Sequence, residues 1–572
     1  MMMMVIRRRQ LLTRHLRTTT RLARFATRCS SSSATTSTST STSMDITSES
    51  DFAFRKVSIT SLNPQEQDDR YYPTLSKISD PTFQTTRVPD FRIKYQDYFI
   101  ENTDIKTITD SIHNLNGKVK SIRRSGKGSI FIDIIQDYSK VQILANHKMM
   151  NLTKDEFYEL HINLKPGDQI SCFGNPGITK VGELTLKCTK PIQLASPSLH
   201  PLPPKFTDSS KIYSNRVVNY LVNKKSQDVI IIRSKVISII RRFLEDRDFL
   251  EVSTPIIGSG NTGANATPFT TTSTHIKDKE NKPLELSLRV APELWLKKLI
   301  ISGFDKIFEI GKVFRNEGID STHNPEFTTC EFYQTFIDLE CLMQMTEDLL
   351  IDILKTLSTD PRYSSVCYEH CSKLLQEIES NGNKFKKIDF IKELEIQTGI
   401  PLPSDLNSNN LIQYYNDLNI PLPIVKSSSQ LLDNLSSIYL EPQCQELPTF
   451  IYNLPEVLSP LAKSTTISNT NHIVSNRFEL YINGKELVNA YEEENNPFKQ
   501  HNKFQQQLSS KLDFNDKETI IPDYKFIEFM EWGMPPTGGW GLGIDRLVML
   551  VTGTDRIDNV LSFGKLSDVL KQ

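Results

Sequence analysis

Residues 478–494 read FELYINGKELVNAYEEE, apolar and polar residues alternating on both sides of Asn483-Gly484. An Asn-Gly pair between alternating runs is the strongest short-range signal for a two-residue β-hairpin, so this stretch commits its part of the chain to antiparallel sheet. With Asn483 and Gly484 as the turn, Tyr481 faces Glu486 and Glu479 faces Val488. Glu479 and Glu486 then become diagonal neighbours on one face of the ribbon. Two carboxylates that close repel each other and call for a cation between them. A solvated acidic ribbon with Lys485 as the partner is the plainer alternative.

At 572 residues the chain is long enough for three or four domains. No apolar run approaches the roughly 20 residues of a membrane span. The net charge of −1 hides an uneven distribution. Residues 1–43 hold eight arginines, no lysine and no acid, which leaves 59 basic against 68 acidic residues in the rest. Nothing in that total announces a nucleic-acid binder, so RNA contacts must come from local patches. An Arg-rich, Ser/Thr-rich, acid-free segment without an apolar h-region has the composition of a mitochondrial transit peptide, and residues 1–43 are assigned that role. The eight cysteines form no CxxC pair, and Cys367 and Cys371 flank His370 without a fourth ligand nearby. Free, mostly buried thiols are expected.

Residues 44–104 are polar and Pro-punctuated, a leader with a short helix. From about residue 105 to 200 the segments GKVKSI, SIFIDII, KVQILAN, DQISCFG and ELTLKCTKPIQLA alternate with Gly, Ser and Asp turns. Five short strands in under a hundred residues suggest a five-stranded oligonucleotide-binding (OB) barrel. SPSLHPLPPKF (196–206) reads as a linker. Beyond it, Ile232, Val236, Ile239, Ile240 and Phe243 recur at helical spacing within 226–247, and FLEVSTPII (249–257) follows as a strand. Strands and helices then alternate, making 201–572 a large α+β domain with a less legible insertion at about 345–450, helical stretches such as EDLLIDILKTL followed by Asn- and Ser-rich loops.

Two further stretches carry charge. KVFRNEGIDSTHNPEFTTCEFYQTF (312–336) reads as strand, loop and returning strand, with Arg315 and Glu317 on one face and Glu331 and Tyr333 on another. The arginine fork suits phosphate oxygens, while carboxylates suit an amine. In PPTGGWGLGIDRLVML (535–550) the glycines permit close backbone approach to a ligand, and Arg546 opens an apolar helix.

The three stretches together resemble the three motifs of class II aminoacyl-tRNA synthetases, and most resemble the lysyl-tRNA synthetases. LRVAPELWLKKLIISGFDKIFEIGKVFRNEGID, THNPEFTTCEFY, SPLAK, NAYEEENNP and MPPTGGWGLGIDRLVML carry the match, which spans most of 105–565. The resemblance implies an ATP-dependent lysine–tRNA ligase that forms lysyl-adenylate and pyrophosphate, then transfers lysyl to the 3′-end of tRNA(Lys). With the leader, it implies work in the mitochondrial matrix, as a homodimer built on the helix plus FLEVSTPII. It also implies Mg²⁺ held by Glu479 and Glu486 beside ATP. Arg315 would hold the α-phosphate and the substrate carboxylate, and Arg546 the distal phosphates. Glu317, His323, Phe327 (stacked on adenine) and Gly543 would complete the nucleotide site. The lysine pocket would comprise Gly263, Glu293, Glu331, Tyr333, Asn489 and Glu493, with Glu493 and Tyr333 at the ε-ammonium. Asn489 lies on the wrong face of the simple hairpin, a conflict that a bulge before Tyr491 would remove. In the barrel, Arg124, Phe131, Gln142 and Glu183 match anticodon-reading positions, with Phe131 as a core aromatic the alternative. Thr267, Leu454, Glu492 and Glu494 depart from the family pattern. Aspartyl- or asparaginyl-type synthetases, or a non-catalytic tRNA-binding derivative, are the competing readings.

Overall fold

The computed structural model describes residues 49–80, 82–258, 266–360, 363–468, 470–514 and 522–564. Residues 1–43 and Gly263 lie outside them. The chain divides into two compact units between Thr207 and Asp208.

In the first unit β1 (His113–Ser125), β2 (Ser129–Gln136), β3 (Ser139–Asn146), β4 (Gln169–Ile178) and β5 (Leu184–Cys188) pair in the order β1-β2-β3-β5-β4. A further β1–β4 pairing closes the ring, so this is a five-stranded OB barrel and α+β is the class of the whole chain. Ile130, Ile132 and Ile134 of β2 and Val141, Ile143 and Ala145 of β3 alternate inward and are buried. Phe131 therefore faces outward and is half-buried, which excludes the core-aromatic alternative for it.

Residues 44–104 are more than a leader with one short helix. Four helices occupy 49–101, and Val88, Phe91, Tyr95 and Phe99 of the Val88–Glu101 helix join the barrel's core cluster at i, i+3, i+7 and i+11. Arg55, on the Glu49–Thr60 helix, makes a two-pronged bond to Asp168 (2.7 and 3.0 Å), both side chains buried. The same carboxylate accepts the N–H of Ser198 and of Lys165, so one aspartate ties the first helix to the barrel and to the start of the linker.

The second unit is built on an eight-stranded sheet. In chain order its strands are β6 (Leu250–Glu251), β7 (Lys306–Phe314), β8 (Glu326–Thr335), β9 (Lys386–Asp389), β10 (Thr449–Tyr452), β11 (Arg477–Ile482), β12 (Lys485–Glu492) and β13 (Thr537–Gly543). Across the sheet they run β9-β10-β11-β12-β13-β8-β7-β6. The six central strands pair antiparallel, and one parallel strand is added at each edge. Among the described residues, 345–450 carries the expected helical stretches and also supplies β9, so it is woven into the sheet. FLEVSTPII is not one strand: Leu250–Glu251 pairs with β7, Pro255 interrupts, and Ile257–Gly258 joins a separate three-stranded sheet. The helix before it spans Lys224–Glu245 and buries its whole apolar stripe against the main core.

Replacing Arg55 by Ala leaves Asp168 buried and unpaired, which costs roughly 3–5 kcal/mol. Calorimetry should show the barrel transition falling sharply in this variant, and a shift under 1 °C would mean that the pair contributes nothing.

Candidate active site

The hairpin forms with Asn483 (φ 51°) and Gly484 (φ 66°) in the turn, both left-handed as a type I′ turn requires. Its register holds one surprise. Tyr481 faces Glu486, yet Leu480 faces Val488 and Glu479 faces Asn489. Leu487 is the extra residue, the bulge before Tyr491 that the placement of Asn489 requires. Without it Glu479 would face Val488, and Asn489 would turn to the other side. With it Glu479, Glu486, Asn489 and Tyr491 share one face, while Val488 and Ala490 enter the core.

That face borders a cavity of about 510 Å³. Its lining brings together Glu293, Arg315, Glu317, His323, Phe327 and Glu331, with Tyr333, Glu479, Glu486, Asn489, Gly543 and Arg546. Glu493 is absent from the lining and lies directly behind it, 1% exposed. A Cβ at Gly539 would stand 2.1 Å from its Oε1 and 2.7 Å from the Tyr333 ring. Only glycine at 539 leaves both side chains where they are.

One end of the cavity is a dry cluster of acids. Glu331 and Tyr333 share a face of β8 as expected, and the Tyr333 hydroxyl donates to Glu331 Oε2 at 3.2 Å. Burial, reinforced by Glu293, pushes the Glu331 carboxyl up to about 8. Glu293 accepts from the Tyr491 hydroxyl (2.5 Å) and from Lys297 Nζ (2.6 Å), and Lys297 also pairs with Glu493. Burial drives the Glu493 carboxyl upward against the pull of Lys297.

The opposite end is cationic. The alternating strand stops at Phe314, so Arg315 and Glu317 stand in the loop rather than on a strand face. Arg315 N–H donates to Pro325 O across the loop's base (2.9 Å), and its guanidinium lies 5.2 Å over the Phe327 ring. Its Nε is buried without a hydrogen-bond partner among the described residues, the condition of a donor awaiting an anion. Arg546 donates to Glu486 O (2.8 Å) and to His323 Nε2 (2.9 Å), and His323 Nδ1 is 2.8 Å from Asp320. A guanidinium can only donate, so His323 accepts at Nε2 and carries its proton on Nδ1, toward Asp320.

Between the two ends stands Arg477, which the sequence reading overlooked. It is the cation that faces Glu479, in place of Lys485, and it donates to Glu479 Oε1, Ser459 Oγ (2.9 Å) and Asn489 Oδ1 (2.9 Å). Because Asn489 accepts from Arg477, its amide N–H₂ is left to face the cavity. The Tyr481 hydroxyl donates to the other Glu479 oxygen (3.1 Å). Burial, with Glu486 adding to it and Arg477 opposing, raises the Glu479 carboxyl to about 7. Lys297 was missed as well. In the sequence it reads as one of two lysines on an amphipathic helix, and only the register of β12 reveals its second carboxylate.

On the barrel, Phe131, Gln142 and Glu183 share the outer face. Gln142 donates to Glu183 Oε2 at 2.8 Å, and Phe131 lies under Arg123 (5.9 Å). Arg124 stands apart, donating to the carbonyls of His161, Ile162 and Leu164, the end of the Lys154–His161 helix. Seven cysteines are described, all free and all but Cys341 buried.

Residues 208–567 match the family described as tRNA synthetases class II (D, K and N). The chain belongs to this family. Residues 114–194 match the OB-fold nucleic acid binding domain. A lysine–tRNA ligase, mitochondrial, of Saccharomyces cerevisiae is 40% identical over 559 residues, covering 90% of this chain and 93% of that protein. Its namesake from Schizosaccharomyces pombe is 39% identical over 504 residues, covering 86% and 90%. A lysine–tRNA ligase of Lactococcus lactis subsp. cremoris is 35% identical over 446 residues, covering 77% and 85%.

Proposed function

We infer that this class II synthetase is a mitochondrial lysine–tRNA ligase. The observation that carries the reading is the cluster of Glu293, Glu331 and Glu493 at the dry end of the cavity. An aspartate or asparagine side chain would meet carboxylates and phenols there, the ammonium of Lys297 being already held between Glu293 and Glu493, whereas a substrate ammonium finds partners. The names of the relatives support the same reading, and they support mitochondria as the site of work. Residues 1–43 are assigned as the transit peptide, and the matrix as its destination.

The chemistry is adenylation followed by acyl transfer. A carboxylate oxygen of lysine attacks the α-phosphorus of ATP in line, the bond to the bridging oxygen breaks, and pyrophosphate leaves. The terminal ribose hydroxyl of tRNA then attacks the lysyl carbonyl and AMP departs. No side-chain nucleophile is needed, so positioning and charge neutralisation carry the first step. Arg315 has an unpartnered Nε for the α-phosphate, and Arg546, held by Glu486 and His323, faces the distal phosphates. Phe327 presents its ring to adenine, beside the loop of Glu317 and below Gly543. The Asn489 amide offers its N–H₂ to the lysine carboxylate, and Glu331 lies near the α-ammonium.

The donor set suits a divalent metal. Glu479 and Glu486 are hard oxygen ligands on one face of the hairpin, both lining the cavity. Mg²⁺ takes one or two carboxylates together with substrate phosphates, and these two residues would hold it and let it offset charge on the leaving pyrophosphate. On the barrel's outer side, Phe131 and Glu183, with the buried Gln142 bonded to Glu183, suit an unpaired anticodon base. Arg124, spent on helix carbonyls, fits a supporting role better than base reading. Leu250, Ile256 and Ile257 are exposed in the segment that follows the Lys224–Glu245 helix, which supports a homodimer closed over them.

ATP–pyrophosphate exchange tried with each amino acid should proceed with lysine, and exchange driven by aspartate or asparagine would overturn the assignment. Glu479→Gln should slow the lysine reaction and raise its Mg²⁺ requirement.

Lysine binding should release a proton. In the empty pocket Glu331 holds its proton up to about pH 8, and a nearby ammonium lowers that value, so affinity rises with pH through 7 and falls below it. Calorimetry at pH 7 in phosphate and in Tris should differ by close to one proton per lysine; equal heats would refute it.

Sedimentation should show a dimer at micromolar concentration, and an active monomer there would remove the homodimer.

A further inference from the structure

Lys297 is a charged side chain only 1% exposed, a state that proteins tolerate only with paired charges. It has two partners. Its ammonium lies 2.6 Å from Glu293 Oε1 one helical turn away and forms a second ion pair with Glu493 beyond the end of β12. The ring of Tyr491 lies 5.6 Å from it. Burial disfavours its charged form, but the two carboxylates outweigh that and hold it protonated. The groups facing this centre are therefore Glu293 and Lys297 from one helix, Glu331 and Tyr333 from β8, and Tyr491 and Glu493 from β12 and its end.

A count of charges gives the argument. Three carboxylates against one lysine leave the fully ionised pocket with two negative charges. Lysine brings two ammonium groups, and its carboxylate belongs to the Arg315 end. The balance is met only because Lys297 cancels one acid. Without it, one of three buried carboxylates would have to stay protonated or remain unmatched. Lys297 forms its ion pair with Glu493 at Oε2, while Oε1 lies behind Gly539.

We propose that Lys297 is a specificity-determining positioning residue, a built-in counter-ion that sets the amine pocket to the charge of its substrate and holds Glu493 in place for the incoming ε-ammonium. The proposal rests on the lysine reading of the pocket. It explains why a site for lysine contains a lysine of its own: the internal ammonium occupies the far side of the Glu293–Glu493 pair and excludes neutral side chains, which cannot complete the charge balance. Norleucine, which has lysine's length without its amine, is the probe for that exclusion.

The test is pyrophosphate exchange by the full chain carrying Lys297→Met, and by the double variant Lys297→Met/Glu293→Gln. Met fills the space of the lysine stem, so the single variant removes charge while keeping volume. Its KM for lysine should rise roughly 10–100-fold, less than the full cost of an unpaired buried charge because Glu293 and Glu493 can share a proton. The KM for ATP should stay within about twofold, and discrimination against norleucine should fall about tenfold. The double variant restores two negative charges and should recover lysine use to within about tenfold of the parent. A wild-type enzyme that does not exchange with lysine would sink the functional reading beneath the proposal. If the wild type is lysine-specific and the single variant matches it, the counter-ion role alone is wrong. Equal damage in both variants, or loss of folding in both, would also overturn it, because a packing role is blind to restored charge.

Discussion

The bare face of β13 is the constraint on which the site depends. Gly539, Gly541 and Gly543 alternate with Trp540 and Leu542, so this central strand gives its large side chains to the core and only hydrogens to the cavity. Trp540 stacks on Phe332 (4.8 Å, 20°), fixing the strand from behind. The flanking strands then fill the vacated space: Glu331 and Tyr333 come in from β8, Asn489 and Tyr491 from β12. Register does the placing, since Glu331 and Asn489 both pair with Gly541, and Tyr333 and Tyr491 both pair with Gly539. A single methyl at 539 would dislodge Glu493 and Tyr333 together.

The Leu487 bulge is the second constraint, and it acts by parity. Strand side chains alternate with period two, so one inserted residue turns the remainder of β12 over. Before the bulge, Glu486 faces the cavity as a partner of Tyr481. After it, Asn489 and Tyr491 face the same way, and Glu493 follows behind Gly539. An unbroken ribbon would present Val488 and Ala490 to the cavity and bury Asn489 in the core. The bulge is thus what allows one strand to serve both ends of the site.

Much of this was legible in the sequence, for reasons of period and turn chemistry. Asn483-Gly484 specified the hairpin, the isoleucines of β2 and β3 the barrel wall, and the stripe from Ile232 to Phe243 the helix. Function became legible when three charged stretches were taken together, since each alone has an ordinary structural reading. What escaped was non-local. The bulge depends on which residues of β11 the second strand meets, and pattern cannot report that. Arg477 and Lys297 escaped because burial of a cation is decided by the folded neighbourhood: Arg477 sits between Glu479 of its own strand and Asn489 across from it, and Lys297 joins Glu293 one turn away to Glu493 far along the chain. Residues 49–104 and 345–450 showed helical stretches such as EDLLIDILKTL, but which core each helix joins is set by distant residues that a local pattern does not contain. FLEVSTPII failed for a simpler reason, as Pro255 allows no continuous ladder.

The two ends of the cavity differ in wetness, and that difference bears on selectivity. His323 is exposed and Arg546 partly so, whereas Glu293, Glu331, Tyr333 and Glu493 are all buried. Phosphates bind well at a partly hydrated end, where long-range charge and arginine forks suffice and little discrimination is asked. Choice among amino acids needs the opposite setting. In a dry pocket a side chain that leaves a carboxylate unmatched loses several kcal/mol, far more than a missing methylene costs. Such a pocket is stable when empty only if its charges are partly neutralised beforehand, by protonation at Glu331 and by Lys297 between Glu293 and Glu493. The fold therefore keeps the acids buried but not bare, and the substrate's ammonium groups complete a balance that the chain leaves unfinished.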